Sequence, residues 1–190
     1  MISRVVVATK NPHKAAEVVA VMARVLPRLG LVDGLEWPDV EETGSTLEEN
    51  AILKARAVAQ STGHDAIADD TGLEVDALGG APGVRSSRYA GEGASYAENR
   101  KALLEAMKGH SDRTARFRTV VALVTSAGEA ITASGTLEGR IAEAPRGEGG
   151  FGYDPVFEVD GRTLAELGED HKNLISHRAR ALEALAAILD

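Results

Sequence analysis

The sequence predicts an α/β fold in which helices pack on a mixed β-sheet. Three observations predict it: the chain opens with a strand, a loop and a helix; helical spacing of apolar residues returns in later segments; and a hairpin pattern follows in the second half. Strand–helix units favour parallel pairing, whereas a hairpin is antiparallel, so we expect a mixed sheet. The chain has 190 residues, of which 44% are hydrophobic, which suits one domain or one domain with two lobes.

The first strand and helix are marked by residue type and spacing. Arg4 to Thr9 reads RVVVAT, which is rich in β-branched residues, and the following Asn11-Pro12 predicts that the strand ends in a loop. From Lys14 to Pro27 the apolar residues keep helical spacing, which predicts a helix that stops at the proline. Residues 30–44 predict one short strand at most.

A second helix and a second strand follow. Ser45 and Glu48 have the spacing of a capping box, so we expect a helix that begins there and ends near Gly63. Residues 66–68 then predict a short buried strand that ends on the adjacent acids Asp69-Asp70.

The second half of the chain combines helices with a hairpin. Ser95 and Glu98 repeat the capping-box spacing and predict another helix. Residues 117–123 alternate as a strand, and a turn over residues 126–129 leads into a second strand over about residues 130–137. Three further elements are expected: a strand near Pro155 to Val159, a short helix from Leu164 and a last helix from about Ser176.

Composition and charge exclude several classes of function. The net charge is −8, so the chain offers no general basic field for DNA or RNA. It has no cysteine, which excludes disulfides, thiolate catalysis and zinc–thiolate sites. The opening segment MISRVVVATKNP is too short and too charged for a signal peptide, and no apolar run approaches the length of a membrane span. We therefore expect a soluble, cytoplasmic protein that binds neither nucleic acid nor membranes.

The loop TKNPHK, residues 9–14, is a candidate anion site. A loop between a strand and a helix N-terminus offers free backbone N–H groups and the positive end of the helix dipole. Thr9, Asn11 and Lys14 add a hydroxyl, an amide and an ammonium that suit phosphate oxygens. An ordinary turn with a solvated lysine accounts for the same residues, and the spacing of a P-loop is missing.

The adjacent Asp69 and Asp70 need a compensating partner, because desolvating a carboxylate is costly. Their side chains point to opposite faces of an extended segment, so we expect one to cap the following turn and the other to face a cavity; the alternative is that both form the turn. Glu41 and Glu42 supply further carboxylates in a loop. Mg²⁺ takes few hard oxygen ligands from protein and is completed by substrate phosphates, which makes it one candidate for the compensating charge.

Three other groups of residues are candidates for nucleotide contacts. Asn50 and Lys54 stand four apart on one helix face, where Lys54 either reaches a phosphate or extends into solvent. Residues 147–152 fit G-x-G-x-x-G without the flanking strand and helix of a dinucleotide site, and Phe151 there is either a stacking face or an ordinary core residue. A polar cluster surrounds the start of the last helix: Lys172, Ser176, His177 and Arg178. These residues either bind a phosphate or a base, or they simply form a solvated, capped helix start. The other histidines are expected at the surface: His13, His64, His110 and His171.

Five sequence blocks, in order along the chain, closely resemble the inosine triphosphate pyrophosphatase family, whose members are also called dITP/XTP pyrophosphatases. The blocks are TKNPHK, EETGSTLEENAILKA, IADDTGLEVDALGGAPGVRSSRYAG, GGFGYDPVF and ISHRARAL, and they span nearly the whole chain. The resemblance implies one nucleoside triphosphate pyrophosphatase domain over residues 1–190. It also implies a two-lobed α/β fold with a long central mixed sheet flanked by helices, a nucleotide cleft between the lobes, and a homodimer.

The resemblance further implies an activity and the residues that carry it. The family hydrolyses ITP, dITP and XTP to the monophosphate and pyrophosphate, using Mg²⁺. Glu42 resembles the metal-binding glutamate, and Asp70 resembles the acid that binds metal and accepts a proton. The residues that resemble triphosphate-binding groups are Thr9, Lys10, Asn11, Pro12, His13, Lys14 and Lys54, with Asn50 nearby. The residues that resemble other substrate contacts, including the base and sugar pocket, are Thr71, Phe151, Gly152, Tyr153, Asp154, Lys172, His177 and Arg178.

The same resemblance predicts in-line hydrolysis at the α-phosphorus. A water near Asp70 would lose its proton to that carboxylate, while Mg²⁺ held by Glu42 and Asp70 neutralises charge on the leaving oxygen. Lys14, Lys54 and the loop amides would stabilise the pyrophosphate. Base choice would depend on a donor at Lys172, His177 or Arg178 that reaches the 6-oxygen of hypoxanthine or xanthine.

Two alternatives are open at this point. A Maf-like nucleotide pyrophosphatase, related in fold, would act on modified or pyrimidine nucleotides, and the SHR and GGFGYDP segments argue against it. A non-catalytic nucleotide sensor would have no use for a metal-binding pair of acids.

Overall fold

The computed structural model describes residues 2–189, within which the chain forms eight strands, six α-helices and three short 3₁₀ helices. The strands are β1 (Arg4–Val7), β2 (Gly30–Leu31), β3 (Ala66–Val75), β4 (Pro82–Gly83), β5 (Thr114–Val124), β6 (Ala130–Ile141), β7 (Phe157–Val159) and β8 (Arg162–Thr163). The helices are α1 (Pro12–Val25), α2 (Leu47–Thr62), α3 (Tyr96–Ala106), α4 (Leu164–Leu167), α5 (Glu169–Ile175) and α6 (His177–Leu189). None of the helices described is long and apolar enough to cross a membrane.

The sheet is mixed, as the sequence predicts. Its strands pair in the order β2-β1-β3-β5-β6-β7-β8, and β4 pairs with β3. β1 is parallel to both β2 and β3, whereas the pairs β3–β4, β6–β7 and β7–β8 are antiparallel. Together with the six helices, this confirms the predicted α/β class.

The chain divides into two compact units. The first unit holds the residues up to Asp70, Thr119–Gly135 and the residues from His177 on, and the second holds Thr71–Arg118 and Thr136–Ser176. Strands β3, β5 and β6 each supply residues to both units. Two units are what the predicted two-lobed arrangement requires; the nucleotide cleft between the lobes stays a prediction.

Each unit has its own apolar core. In the first unit α1 and α6 pack against each other, and their apolar faces join strand residues in one cluster. That cluster includes Val5, Val18, Met22, Ile67, Leu182 and Leu185. In the second unit the rings of Phe117 and Phe157 lie 4.6 Å apart and tilted, within the usual range for aromatic pairs. They belong to a cluster with Leu73, Leu103, Leu137 and Leu164.

Several helix ends and turns confirm the sequence predictions. α3 begins behind Ser95, whose hydroxyl accepts a hydrogen bond from the Glu98 N–H while the Glu98 carboxylate accepts one from the Ser95 N–H. α2 ends at Gly63, which adopts a φ of 70° that favours glycine. The Thr125 N–H closes the β5–β6 turn by donating to the Glu129 carbonyl at 2.8 Å.

The capping box predicted for α2 was wrong by one residue. Thr46 is the N-cap, and its hydroxyl accepts from the Glu49 N–H at 3.1 Å. Ser45, which the prediction placed at the cap, instead donates its hydroxyl to the Glu49 carboxylate at 2.8 Å. Because Ser45 and Thr46 are both good caps, the spacing alone did not decide between them.

The strand predicted to end on Asp69 and Asp70 runs through both acids to Val75, so β3 is ten residues long. The expectation that one of the acids caps a following turn was therefore wrong. Beyond the acids, the Leu73 N–H donates to the Ser86 hydroxyl at 2.8 Å, and Leu73 is fully buried. A strand can carry two buried carboxylates only where cations meet them, and the first unit supplies those cations.

Candidate active site

Asp69 lies in a buried ionic network of the first unit. Its Oδ2 accepts hydrogen bonds from Arg178 Nε at 3.3 Å and Nη2 at 3.0 Å, and Lys14 Nζ lies 3.7 Å from the same oxygen. Arg178 Nη1 donates to Glu17. The side chains of Asp69 and Arg178 are each 2% exposed. Burial opposes ionisation, but the neighbouring cations, above all Arg178, outweigh it and hold the pKa of Asp69 well below its usual range.

Asp70 finds its cation on a different helix. Lys54 of α2 places Nζ 2.8 Å from Asp70 Oδ1 and 3.0 Å from Glu42 Oε1, so one ammonium joins two carboxylates. Its side chain is 12% exposed, so Lys54 does not extend into solvent. Burial raises the pKa of Asp70; Lys54 lowers it and Glu42 raises it again, and the net direction is upward. Because Asp69 meets α6 and Asp70 meets α2, the prediction of opposite faces is confirmed.

Asn50 ties the acidic loop to β3. It is fully buried in α2, one turn before Lys54. Its Oδ1 accepts from the Gly44 N–H at 2.8 Å, and its Nδ2 donates to Asp70 Oδ2 at 3.4 Å. A Cβ on Gly44 would come within 2.6 Å of Asn50 Oδ1 and 3.0 Å of the Asn50 backbone nitrogen. This close packing of the loop on α2 holds Glu42, two residues earlier, where Lys54 can reach it.

The loop before α1 is closed by its own residues. Asn11 is the N-cap of α1, and its Oδ1 accepts from the N–H groups of His13 at 3.0 Å and Lys14 at 3.3 Å. Pro12 has no N–H to offer, and the Asn11 N–H donates to the Thr9 hydroxyl at 3.2 Å. The helix amides that were predicted to be free for an anion are therefore engaged, and that prediction was wrong.

Side chains are what this loop offers an anion instead. The Lys14 side chain is 21% exposed beside Asp69. Lys10 points outward and pairs with Asp39 at 2.5 Å, with side chains 54% and 92% exposed, an arrangement that contributes little to stability. The histidines outside the α6 start are exposed, as predicted: His13, His64, His110 and His171.

In the second unit the glycine segment, residues 147–152, folds around Asp154. One oxygen of this buried carboxylate, Oδ2, accepts from the Phe151 N–H at 2.8 Å and pairs with Lys172 Nζ at 2.5 Å. The same ammonium lies 4.6 Å from the centroid of the Phe151 ring, a cation–π distance. Gly150 is required here because its φ is 70° and a Cβ would collide with the Asp154 carboxylate. The structure thus brings together three of the residues predicted for the base pocket.

Two neighbours in that segment have contacts that hold the loop. The buried Tyr153 donates its hydroxyl to the Ser86 carbonyl at 2.8 Å, and burial raises the pKa of Tyr153. The Gly152 carbonyl accepts a hydrogen bond from Arg100 Nη1 at 2.8 Å.

The polar residues around the start of α6 are not a solvated helix end. All four predicted members are buried: Lys172, Ser176, His177 and Arg178. Lys172 and Ser176 belong to the second unit, where the Ser176 N–H donates to the Lys172 carbonyl at 2.9 Å. His177 and Arg178 belong to the first unit. Thr71, the first residue of the second unit, is half-buried in β3.

A sequence profile for the Ham1 family matches residues 5–188. The chain belongs to the Ham1 family. One relative is the dITP/XTP pyrophosphatase of Bacillus licheniformis, which is 49% identical over 98% of this chain and 97% of that protein. Another is the dITP/XTP pyrophosphatase of Elusimicrobium minutum, 50% identical over 96% of this chain and 98% of that protein. The resemblance predicted from the five sequence blocks is confirmed.

Solved Ham1 structures share this fold. A HAM1 protein from Coxiella burnetii is 46% identical and superposes with a TM-score of 0.87 over 100% of this chain and 98% of its own. The Ham1 protein of Staphylococcus aureus is 40% identical, with a TM-score of 0.83 over 98% of this chain and 97% of its own. The mixed sheet and helices described above are therefore those of the Ham1 fold.

The acidic pair of this Ham1 chain fits a magnesium ion. Glu42 Oε1 and Asp70 Oδ1 both lie within 3.0 Å of one position, which Lys54 Nζ takes as a stand-in cation. One or two carboxylates are what Mg²⁺ takes from protein when water and substrate phosphates complete its shell. Within residues 2–189 no group of three or more acidic or histidine side chains is placed to hold a metal. An ion at the pair would therefore rely on the substrate for further ligands.

Four residues that shape these sites in this Ham1 chain were not predicted from the sequence: Glu17, Gly44, Tyr96 and Arg100. Glu17 stands three residues after Lys14 on α1, a spacing that puts both on one helix face, so a signal was present. No local pattern indicates the contacts of the other three. The Tyr96 ring, for example, lies 6.0 Å from the Phe151 ring across 55 positions of sequence.

Proposed function

We propose that this chain hydrolyses the non-standard purine nucleoside triphosphates dITP, XTP and ITP to the monophosphate and pyrophosphate. Its relatives of about 50% identity carry the name dITP/XTP pyrophosphatase. The observation that carries the proposal is the convergence of a buried and a half-buried carboxylate, Asp70 and Glu42, on one cation. Lys14 is close enough to act on Asp70 electrostatically, so a phosphate-binding cation stands near the acids.

The charge balance of this site favours a polyphosphate that arrives with a divalent cation. The site contains three cations and four carboxylates in two neighbouring ion-paired groups: Lys14 and Arg178 with Glu17 and Asp69, and Lys54 with Glu42 and Asp70. Its net charge of minus one repels a free triphosphate, whereas one added Mg²⁺ makes the site positive. We propose Glu42 and Asp70 as the ligands of that ion. When bound, Mg²⁺ supplies neutralisation of the charge that develops on the phosphate oxygens.

Asp70 is the proposed proton acceptor. In the absence of a metal, burial raises the pKa of Asp70 toward the range in which a general base works best. Asn50 holds the other carboxylate oxygen, which orients Asp70 toward an attacking water. The water would transfer its proton to Asp70 as its oxygen bonds to the α-phosphorus, and pyrophosphate would leave. Lys14 and Lys54 would stabilise that leaving group without help from the helix amides, which Asn11 occupies.

Purine selection is proposed for Phe151 and Lys172. The half-buried Phe151 ring offers a face for a base, as stacking sites for nucleotides do. Lys172 is a cationic donor that pairs with Asp154 and lies 4.6 Å from the centroid of the Phe151 ring, which makes it the proposed partner of the 6-oxygen of hypoxanthine or xanthine. Adenine carries an amino donor at that position, so two donors would face each other. Arg178 already directs Nε, Nη1 and Nη2 to carboxylates, which favours Lys172 as the base-reading donor.

The remaining substrate contacts are proposed from the family resemblance. They are Thr9, Lys10, Pro12 and His13 in the phosphate loop, Thr71 in β3, and Gly152, Tyr153 and His177 around the base and sugar. A homodimer and a cytoplasmic location stay predictions.

Pyrophosphate release tests the proposal. The wild type should release pyrophosphate from ITP, dITP and XTP with Mg²⁺ and not after chelation of the metal. Glu42→Gln and Asp70→Asn should each lower kcat by about 100-fold or more. Glu41→Gln is the matched control, because Glu41 is the exposed neighbour of Glu42 and should leave kcat unchanged.

Each possible failure identifies a different error. Most of the activity surviving in Asp70→Asn would remove Asp70 as the base. No turnover of any purine triphosphate by the wild type would remove the enzyme and leave the nucleotide sensor. Faster turnover of pyrimidine or modified nucleotides than of ITP would identify a Maf-like specificity.

A further inference from the structure

The first two turns of α3 contact the glycine segment twice. At the first helical position, the Tyr96 ring centroid lies 6.0 Å from that of Phe151, with the planes inclined by 44°. One turn later, Arg100 Nη1 donates to the Gly152 carbonyl at 2.8 Å. Residues four apart share a helix face, so this face of α3 (Tyr96 and Arg100) lies against two consecutive residues of the segment.

The rest of the segment is fixed through its backbone and through Asp154. Asp154 accepts from the Phe151 N–H, and the Gly149 N–H donates to the Ala165 carbonyl at 3.2 Å. These bonds place the backbone of Phe151 and do not act on its ring. The Lys172 ammonium and the Tyr96 ring both contact the Phe151 ring.

Tyr96 keeps much of its surface in solvent although it belongs to this contact. Its side chain is one of the exposed large hydrophobic groups of the described chain, at 41%. A tyrosine at the first position of a helix capped by Ser95 has no role in helix initiation, because the cap is made by Ser95 and Glu98. Its position is instead explained by the aromatic contact with Phe151.

We propose that Tyr96 and Arg100 are positioning residues for the purine: Tyr96 sets the tilt of the Phe151 ring, and Arg100 holds the peptide that follows it. This inference rests on the proposed function, in which Phe151 stacks on a purine that carries a 6-oxygen. Tilted aromatic pairs contribute enough that losing one should weaken purine binding by about 2- to 13-fold. Binding of the phosphates, which the first unit is proposed to bind, should not change.

Calorimetric binding measurements with two probes separate these effects. Inosine 5′-monophosphate reports the purine pocket without turnover, and pyrophosphate with Mg²⁺ reports the phosphate site. Tyr96→Ala and Arg100→Ala should each weaken binding of the monophosphate by about 2- to 13-fold and leave pyrophosphate binding unchanged. Tyr96→Phe should restore wild-type affinity, because it keeps the ring. Lys101→Ala removes the same charge as Arg100→Ala from an exposed neighbour on α3 and should bind both probes as the wild type does.

The possible results decide the inference. Unchanged monophosphate affinity in Tyr96→Ala overturns it, and so does an equal loss for both probes, since a general loss of structure would weaken both. If Lys101→Ala weakens monophosphate binding as much as Arg100→Ala does, Arg100 acts only through long-range charge, and its proposed positioning role is wrong. Failure of the proposed function is distinct: the wild type would then release no pyrophosphate from purine triphosphates, whereas the binding comparison still reports on the pocket.

Discussion

Replacing Asp69 by asparagine removes the carboxylate that the buried Arg178 faces. The two side chains are each 2% exposed, and Arg178 gives two of its three nitrogens to Asp69. Removing one partner of a buried ion pair costs about 3–5 kcal/mol, because the other charge stays buried without its partner. Asparagine keeps the shape and one acceptor oxygen, and Glu17 still accepts from Arg178, so we expect a loss of about 3 kcal/mol. For a chain of this size, that corresponds to a fall in Tm of about 6–12 °C.

Urea unfolding at pH 7, followed by circular dichroism, measures this loss. Asp39→Asn is the matched control, because it removes an aspartate that pairs with Lys10 in an exposed ion pair and should leave the free energy of unfolding unchanged. Asp69→Asn that is folded at low temperature should still release pyrophosphate. A loss in the free energy of unfolding below about 1 kcal/mol would refute the ionic network as a source of stability. A folded but inactive variant would show that Asp69, rather than Asp70, is the catalytic acid.

The same variant has a pH dependence with a definite sign. The pKa of Asp69 is depressed in the folded state, so its ionisation contributes stability above the pKa of an unfolded aspartate, about 3.9. That contribution is lost as the pH falls below this value toward the folded pKa. The stability difference between the wild type and Asp69→Asn should therefore be constant between about pH 7 and pH 5 and shrink below about pH 4. A difference that grows on acidification would contradict the assignment.

Two further predictions concern the acidic pair. Lys54→Met removes the ammonium that the proposed metal would displace. Mg²⁺ without nucleotide should therefore raise the Tm of this variant more than that of the wild type or of the exposed control Lys10→Met. Thermal unfolding with and without Mg²⁺ measures this, and an equal rise in all three proteins would contradict it. Gly44→Ala places a Cβ against Asn50 and should displace the loop that carries Glu42, which should lower kcat about tenfold or more. Gly30→Ala is the control and should leave kcat unchanged, because its Cβ would meet neighbours only at ordinary contact distance. Steady-state pyrophosphate release compares the two variants, and equal rates would show that the loop tolerates the methyl group.

The sequence predicted those parts of the fold that local chemistry determines. The Ser95 and Glu98 cap, the glycine end of α2 and the proline-bounded α1 each depend on residues within a few positions of one another. The cap of α2 was predicted at Ser45 instead of Thr46, because the two adjacent residues are both suitable caps.

The residues of the candidate site could be predicted from the sequence, but which cation pairs with which acid could not. Asp69 and Asp70 were identified as a pair that needs compensation, and the compensating cations are side chains of distant elements. Arg178 stands 109 positions from Asp69, and Lys54 stands 16 positions from Asp70 on another element. Nothing in the local sequence of β3 indicates either partner, which is why the strand was predicted to stop at charges that the folded chain neutralises.

Arg178, the partner of Asp69, and Lys54, the partner of Asp70, differ in how firmly each can hold its carboxylate. The planar guanidinium of Arg178 donates to two carboxylates at once, those of Glu17 and Asp69. An ammonium on a flexible stem, as in Lys54, is a point charge with no preferred fork geometry, and it can leave one set of oxygens for another. The proposed site, which would accept a cation and then a polyphosphate, needs a partner of this second kind beside its acids. We expect the Lys54 ammonium to move from the carboxylates to the phosphates when the site opens. Lys54→Arg should then bind Mg²⁺ more weakly than the wild type, although the charge is conserved. Unaltered Mg²⁺ binding by that variant would show that the ammonium does not need to move.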